Sequence, residues 1–194
     1  MIKITQVFVF LMSTLFLVNC GFEQVSVRQT GHFPQTSSNQ EADLATEIHN
    51  EVNRYRASQG LKQLKFHKGL SKIAKPHSNY MRKHAGSFSL NSQKSLISHY
   101  GFESRSILAE RKYRIESIGE NVIASHDLGQ GRELAATMVR GWLRSPDHKF
   151  NIEQDWSLTG VAVSFDDRGR VFVTQLFGTP PSQVLRVGGP SEWR

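Results

Sequence analysis

The chain carries one cysteine, Cys20, and this limits how the fold can be held together. A single cysteine cannot form a disulfide within the chain, so the fold has to be stabilised by a hydrophobic core alone. The sequence has 194 residues, of which 38% are hydrophobic, enough for one such core with short tails. We therefore expect one folded domain without covalent cross-links.

An apolar stretch precedes Cys20. It runs from Val7 to Val18 behind a single positive charge at Lys3, which is typical of a signal peptide and shorter than the roughly 20 apolar residues of a membrane-spanning helix. The residues up to Cys20 resemble a bacterial lipobox, in which the cysteine is lipidated and becomes the new N-terminus. We interpret residues 1–19 as a lipoprotein signal peptide. The alternative is an incidental cysteine near an ordinary secretory cleavage site.

A lipid on Cys20 predicts a protein of the cell envelope that is anchored to a membrane and faces away from the cytoplasm. Residues 20–40 are polar and lack a sustained apolar period, which predicts a flexible tether. Residues 41–179 carry regular periodicities and form the predicted domain. Residues 180–194 contain three prolines and two glycines and predict an extended tail.

Helical periodicities dominate the first two thirds of the domain. The spacing of Ser38 and Glu41 is that of a capping box, and the helix it begins is predicted to end at Gly60. Pro76 predicts a kink or a helix boundary near Lys75, because proline removes a backbone hydrogen bond and clashes with the preceding turn. Further helical patterns cover residues 70–81, 104–113 and 132–143.

Two strands follow the last of these helices. Residues 161–165 alternate, residues 166–169 predict a turn, and residues 171–177 are apolar at nearly every position. The second strand is therefore predicted to be central and covered on both faces. The resulting fold class is α+β: a three-layer α/β/α sandwich with a small central antiparallel sheet.

The sequence is basic, with a formal net charge of +7. This charge favours acidic surfaces such as anionic lipid headgroups or cell-wall polymers. Lysine and arginine are scattered singly rather than interleaved with aromatic residues in a stripe, so we expect no nucleic-acid partner.

Four short segments carry a family resemblance when they are taken in order. They comprise residues 48–56, the pair Ser98-His99, the motif Gly119-Glu120-Asn121-Val122, and residues 142–148, which run from Trp142 to His148. Together they resemble the CAP superfamily, also called the SCP domain, in its bacterial form. The resemblance covers residues 41–179 and implies a central groove in which histidines and glutamates converge and, in some members, hold a divalent metal.

The resemblance carries over to four positions. His99 and His148 match the two groove histidines, Glu120 matches one glutamate, and Ser145 stands where some members have a second glutamate. A zinc ion bound by His99, Glu120 and His148 is one hypothesis, although catalytic zinc usually has three protein ligands and a Glu120 that binds metal cannot also act as general base.

Each of these residues also has a structural interpretation. Ser145 precedes a proline, which is typical of a helix N-cap rather than a nucleophile. Glu120 can accept backbone hydrogen bonds in a buried turn instead of binding an ion. His99 and His148 can be independent structural histidines, whereas His77 lies on an apolar helix face and is predicted to be a packed, hydrogen-bonded core residue.

The leading hypothesis for function is a non-catalytic binding or interaction module, with a lipid, a cell-wall component or a host protein as ligand. The sequence has no nucleophile elbow, HExxH motif or phosphate-binding glycine loop. The alternatives are a metal-dependent hydrolase acting on peptides or the cell wall, with Glu120 activating water, and a structural adhesion protein that attaches through its basic surface.

Overall fold

Five helices and four strands make up the described part of the chain, which in this computed structural model comprises residues 38–85, 99–125 and 129–181. In chain order the elements are α1 (Ser38–Ser58), β1 (Lys65–Phe66), α2 (Lys68–Lys83), α3 (Phe102–Tyr113), β2 (Ser117–Ser125), α4 (Gly131–Leu143), α5 (Pro146–Glu153), β3 (Leu158–Phe165) and β4 (Val171–Thr179). All of them lie in the second of two units of the chain, His32–Arg194, and the first unit, Met1–Gly31, lies outside the described residues.

The strands form one sheet in the order β1-β3-β4-β2. Strand β4 is antiparallel to both of its neighbours and is buried along its length except at Thr179, which confirms the prediction of a central, doubly covered strand. At the β3 edge, β1 adds two residues in parallel. The predicted turn joins β3 to β4, where the Asp166 carboxylate accepts hydrogen bonds from the backbone amides of Arg168 and Arg170.

Helices cover both faces of this sheet because β3 and β4 alternate their buried side chains between the two faces. Val161 and Val163 pack with α1, α4 and α5. Ala162 and Leu176 pack with α2 and α3 on the opposite face. The predicted three-layer α/β/α arrangement is confirmed.

Helix α2 lies close against β3 because Gly160 leaves room for it. A Cβ atom at Gly160 would lie 2.3 Å from the backbone nitrogen of Ser71. The helix continues through Pro76 to Lys83, so the boundary that the sequence allowed near Lys75 is wrong. Pro76 and Lys72 are both exposed, so the Lys72 carbonyl that proline leaves without a helical donor can bond to water.

Some of the remaining predictions concern the described residues, and others lie outside them. The first, third and fourth predicted helices are confirmed as α1, α3 and α4, with α1 beginning at Ser38. The predicted signal peptide, Cys20 and most of the tether lie outside the described residues, as does the tail beyond residue 181. None of the described helices is long and apolar enough to span a bilayer.

Candidate functional site

Strand β2 carries the Gly119-Glu120-Asn121 motif at the edge of the described sheet, and each of its three residues has a separate contact. Gly119 leaves room for an indole ring, because a Cβ atom there would lie 2.9 Å from Cζ2 of Trp156. Asn121 faces α5, where its side-chain amide donates to the His148 carbonyl over 2.9 Å. Asn151 donates to the Asn121 side chain over 3.0 Å. The motif therefore fixes α5, and with it His148, beside the edge strand.

Glu120 points to the opposite face of the sheet, and its side chain is only 2% exposed. Arg105 from α3 holds both of its carboxylate oxygens: Nε donates to Oε2 over 2.6 Å and Nη2 donates to Oε1 over 2.8 Å. His99 Nδ1 lies 2.9 Å from Oε1. A carboxylate in this bidentate pairing has most of its acceptor capacity in use.

The charge state of Glu120 follows from these neighbours. Burial by itself would raise the pKa of the carboxyl group, but hydrogen bonds from His99 and Arg105, together with the charges of Arg105 and His77, hold the pKa below its usual value. Glu120 is therefore an ionised acceptor, so the Nδ1 atom of His99 carries the proton in their hydrogen bond. The Nε2 atom of His99 is left as the nitrogen that faces away from Glu120.

His99 and His148 meet at the edge of β2. Their ring centroids are 6.5 Å apart, and the His99 side chain is 48% exposed. Burial lowers the pKa of His148, the neighbouring His99 lowers it further, and Asp147 opposes the shift. We call His99, Arg105, Glu120 and His148 the edge site. Three of the four groove residues that the sequence predicted, His99, Glu120 and His148, thus lie together, in a site with one exposed side and one buried side.

Ser145 is the N-cap residue of α5, with Pro146 following in the first turn. Its backbone has the extended conformation of an N-cap, with φ −98° and ψ 120°, but its hydroxyl makes no capping hydrogen bond. The position therefore agrees with the helix-cap interpretation, while the hydrogen bond expected of a serine cap is not formed.

His77 is packed in the core, as predicted, with 3% of its surface exposed. Its Nδ1 lies 3.0 Å from Oγ1 of Thr174. The same nitrogen is 4.0 Å from Oε2 of Glu120, so His77 also borders the edge site, a role that its apolar helix face did not indicate.

Arg105 is the main residue of the site that the sequence analysis missed. Besides Glu120 it binds the Tyr100 carbonyl, to which Nη1 donates over 2.8 Å. Its signal was present in the sequence: Phe102, Arg105 and Ala109 recur at intervals of three and four residues, so a charged residue stands on the core-facing side of α3. A buried charge at such a position requires a partner.

An aromatic stack adjoins the exposed side of the edge site. Tyr100, next to His99 in the chain, is 62% exposed and stacks on Tyr80 with ring centroids 4.9 Å apart. The ring of Tyr80 in turn packs against the ring of His84, with centroids 4.1 Å apart. Aromatic side chains with a polar tip are common contact residues in binding surfaces.

The edge site fits a zinc ion poorly. Both carboxylate oxygens of Glu120 are hydrogen-bonded to Arg105. The hydrogen bond between Glu120 and His99 Nδ1 is of the kind that orients a metal-binding imidazole, and it does not make Glu120 itself a ligand. Two imidazoles remain, one fewer than catalytic zinc usually requires. Within residues 38–85, 99–125 and 129–181, no three His, Cys, Asp or Glu side chains form a group that could hold a metal ion.

Among the described residues, two cavities are lined by other parts of the domain. One, of about 570 Å³, is lined by residues of α1 and β1, including His49, Asn53 and Phe66. The other, of about 240 Å³, lies between α1, α2 and β3. Neither is lined by His99, Glu120 or His148.

Solved structures with this fold come from several bacteria. An extracellular protein with an SCP domain from Bacillus anthracis is 26% identical, with a TM-score of 0.53 over 75% of this chain and 44% of that protein. An outer surface protein from Borrelia burgdorferi is 17% identical, with a TM-score of 0.53 over 73% of this chain and 95% of that one. A cysteine-rich secretory protein from Staphylococcus aureus is 18% identical, with a TM-score of 0.50 over 73% and 40%.

This chain thus spans less than half of the Bacillus and Staphylococcus proteins. A search of curated protein sequences found no match. The sequence profile of the cysteine-rich secretory protein family (CAP) matches residues 49–177. That match covers about two thirds of the chain and includes all four residues of the edge site, so the chain belongs to the CAP family, as its motifs indicated.

Proposed function

We propose that this CAP domain acts outside the cytoplasm as a binding module, and that the exposed side of the edge site is its contact surface. The observation that carries the proposal is the commitment of Glu120 to Arg105 and His99. This leaves His99 and His148 as the groups that a partner can reach. Tyr100 beside them supplies an exposed aromatic ring.

The same observation weighs against the hydrolase alternative. In that alternative Glu120 activates water, which requires a carboxylate within hydrogen-bond reach of the reacting water. The Glu120 side chain is 2% exposed and held by a guanidinium. Its lowered pKa also makes it a weaker base than an ordinary glutamate.

The partner classes remain lipid, cell-wall polymer and host protein. The edge site is open, with a half-exposed His99 side chain, whereas sites for small molecules usually enclose most of the ligand surface. An open site suits a large partner that contacts its rim. The net charge of +7 favours partners with acidic groups.

The binding test uses the full chain with two probes, insoluble peptidoglycan and vesicles of phosphatidylglycerol. We expect the chain to be retained on one of them, and the double variant His99→Ala/His148→Ala to lose that retention. Lys149→Ala is the matched control, because Lys149 neighbours His148 but pairs with Glu153. No retention on either probe, together with no lipid extracted from the purified chain, would contradict the proposal.

A second assay separates the three functions. Turnover of a peptide or of peptidoglycan that is abolished by chelation and by either histidine variant would establish the hydrolase instead. Attachment that falls with salt but is indifferent to both histidine variants would establish adhesion through the basic surface.

We also propose that Cys20 is lipidated and anchors the chain to a membrane. The support is the apolar stretch that ends at a unique cysteine, and the extracellular relative from Bacillus agrees with export. Radiolabelled palmitate should be incorporated into the wild-type chain and not into Cys20→Ala. Equal labelling of the two chains would remove the anchor.

A further inference from the structure

Arg105 is buried, with a side chain that is 9% exposed, and it shares the Glu120 carboxylate with His99. Three of its nitrogens donate hydrogen bonds: Nε and Nη2 to Glu120, and Nη1 to the carbonyl of Tyr100. The guanidinium therefore joins β2 to the turn that carries His99. It stands where it neutralises the one acidic side chain of the site.

A divalent cation at this place would meet two obstacles. The carboxylate that would bind it is already held at both oxygens by a permanent positive charge. A cation bound by His99 would also be repelled by that charge, because Arg105 and His99 share Glu120 and burial leaves the charge little screened. The Arg105 guanidinium and a metal ion are thus alternative cations for neutralising Glu120, and the presence of one disfavours the other.

We infer that Arg105 takes the place of a divalent metal ion in this chain, as the resident cation that neutralises Glu120 and positions His99. His99 Nδ1 donates to the carboxylate that Arg105 holds, and the Tyr100 carbonyl beside it is bound by the same guanidinium. The edge site is therefore assembled without metal, and its imidazoles stay free for a partner. This inference deepens the proposed function and rests on it only for the identity of the site.

The inference predicts that zinc binding appears when the guanidinium is removed. Zinc chloride is titrated into the full chain by calorimetry, with thermal melting alongside. Wild-type chain and Arg105→Lys, which keeps the charge, should show no saturable binding. Arg105→Gln should show saturable zinc binding that the wild-type chain lacks, because the repelling charge is gone. Its melting temperature should rise with zinc, since a ligand stabilises the state that binds it.

Two further measurements keep the inference falsifiable. Arg105→Gln/His148→Ala should lose the acquired zinc binding, which identifies His148 as a ligand. The imidazole nitrogen resonances of His99 and His148 in the wild-type chain should be unchanged by excess zinc. This measurement tests the inference even if Arg105→Gln does not fold. Zinc that shifts both resonances in wild type, or a folded Arg105→Gln indifferent to zinc, would overturn the inference. Neither outcome depends on retention by peptidoglycan or vesicles, which tests the proposed function separately.

Discussion

Two buried arginines, Arg56 and Arg105, are used in different ways. Arg56 in α1 is fully buried, and its hydrogen bonds within the described residues run to backbone carbonyls, those of Lys62, Ile152 and Gln154. Two of these carbonyls belong to the end of α5 and the residue after it, where a helix carries partial negative charge. Arg105 instead binds a carboxylate that also holds the exposed His99. Buried charge of the first kind joins secondary structures, and that of the second kind builds a surface for contact.

The two arginines also differ in whether the groups that accept their hydrogen bonds can titrate. Burial lowers the pKa of Arg56, with Asp155 opposing, but its carbonyl partners carry no ionisable group. The partner of Arg105 is ionisable, because Glu120 is a carboxylate. The two regions should therefore respond differently to substitution and to acid.

The largest effect on stability is expected for Arg56→Met. Three carbonyls would lose a charged donor, and we expect a loss of about 4 kcal/mol in the free energy of unfolding. Partner binding by the molecules that remain folded should be unchanged, because the hydrogen bonds of Arg56 run to Lys62, Ile152 and Gln154 and not to an edge-site residue. Denaturant unfolding measures the first quantity and retention on the binding probe measures the second. Weakened retention by a folded variant would show that Arg56, like Arg105, also contributes to partner binding.

Arg105→Gln should cost less stability, about 3 kcal/mol, because glutamine keeps part of the hydrogen bonding to Glu120. Unlike Arg56→Met, it should also reduce retention on the binding probe by about tenfold, since His99 loses its fixed position. The same unfolding and retention assays apply, without added zinc. Loss of stability with full retention would show that Arg105 is only structural.

Acid should destabilise the Arg105 region before the Arg56 region. The pKa of Glu120 is lowered by folding, so its stabilising contribution is complete above its unfolded pKa of about 4.3 and is lost as the pH falls through the folded value. Hydrogen exchange of α3 and β2 amides should therefore accelerate in that acidic window, whereas α1 amides near Arg56 should not. Glu120→Gln should remove this pH dependence, and its persistence would contradict the assignment.

The smallest effect on stability is expected at His99, where two amide replacements separate its nitrogens. His99→Asn keeps a donor in the place of Nδ1 and should change stability by less than about 0.5 kcal/mol, but it should reduce retention because it lacks the outer nitrogen. His99→Gln keeps a nitrogen near Nε2 and should retain more binding, at a cost of about 1 kcal/mol from the lost bond to Glu120. Equal retention by both variants would exclude a contact through Nε2.

The sequence predicted most of the fold because the core follows regular periods. The apolar run at residues 171–177 identified β4 as central, and the helical spacing of Leu134 and Met138 identified α4. Strand β2 was not predicted as a strand, because its segment includes Gly119, Glu120 and Asn121, whose roles are set by contacts with distant residues such as Trp156 and Asn151. Hydrophobic periodicity carries no information about such contacts between residues that are far apart in the chain.

The sequence predicted three members of the candidate site but neither its fourth member, Arg105, nor its chemistry. His99, Glu120 and His148 were expected to lie together, and they do. Motif spacing could not tell that the carboxylate faces a guanidinium, because Arg105 comes from a helix outside the matched motifs. A charged residue on the core-facing side of α3 was the available signal, and it indicated a buried partner without identifying which one.

The central claim is that Arg105, and not a metal ion, is the cation of the edge site. It is tested most directly by a crystal structure of the full chain grown in excess zinc chloride, with anomalous diffraction measured at the zinc absorption edge. We predict that the Arg105 guanidinium remains on both oxygens of Glu120 and that no zinc lies between His99 and His148. A zinc ion bound to both imidazoles, with Glu120 turned from Arg105 toward the metal, would contradict the account.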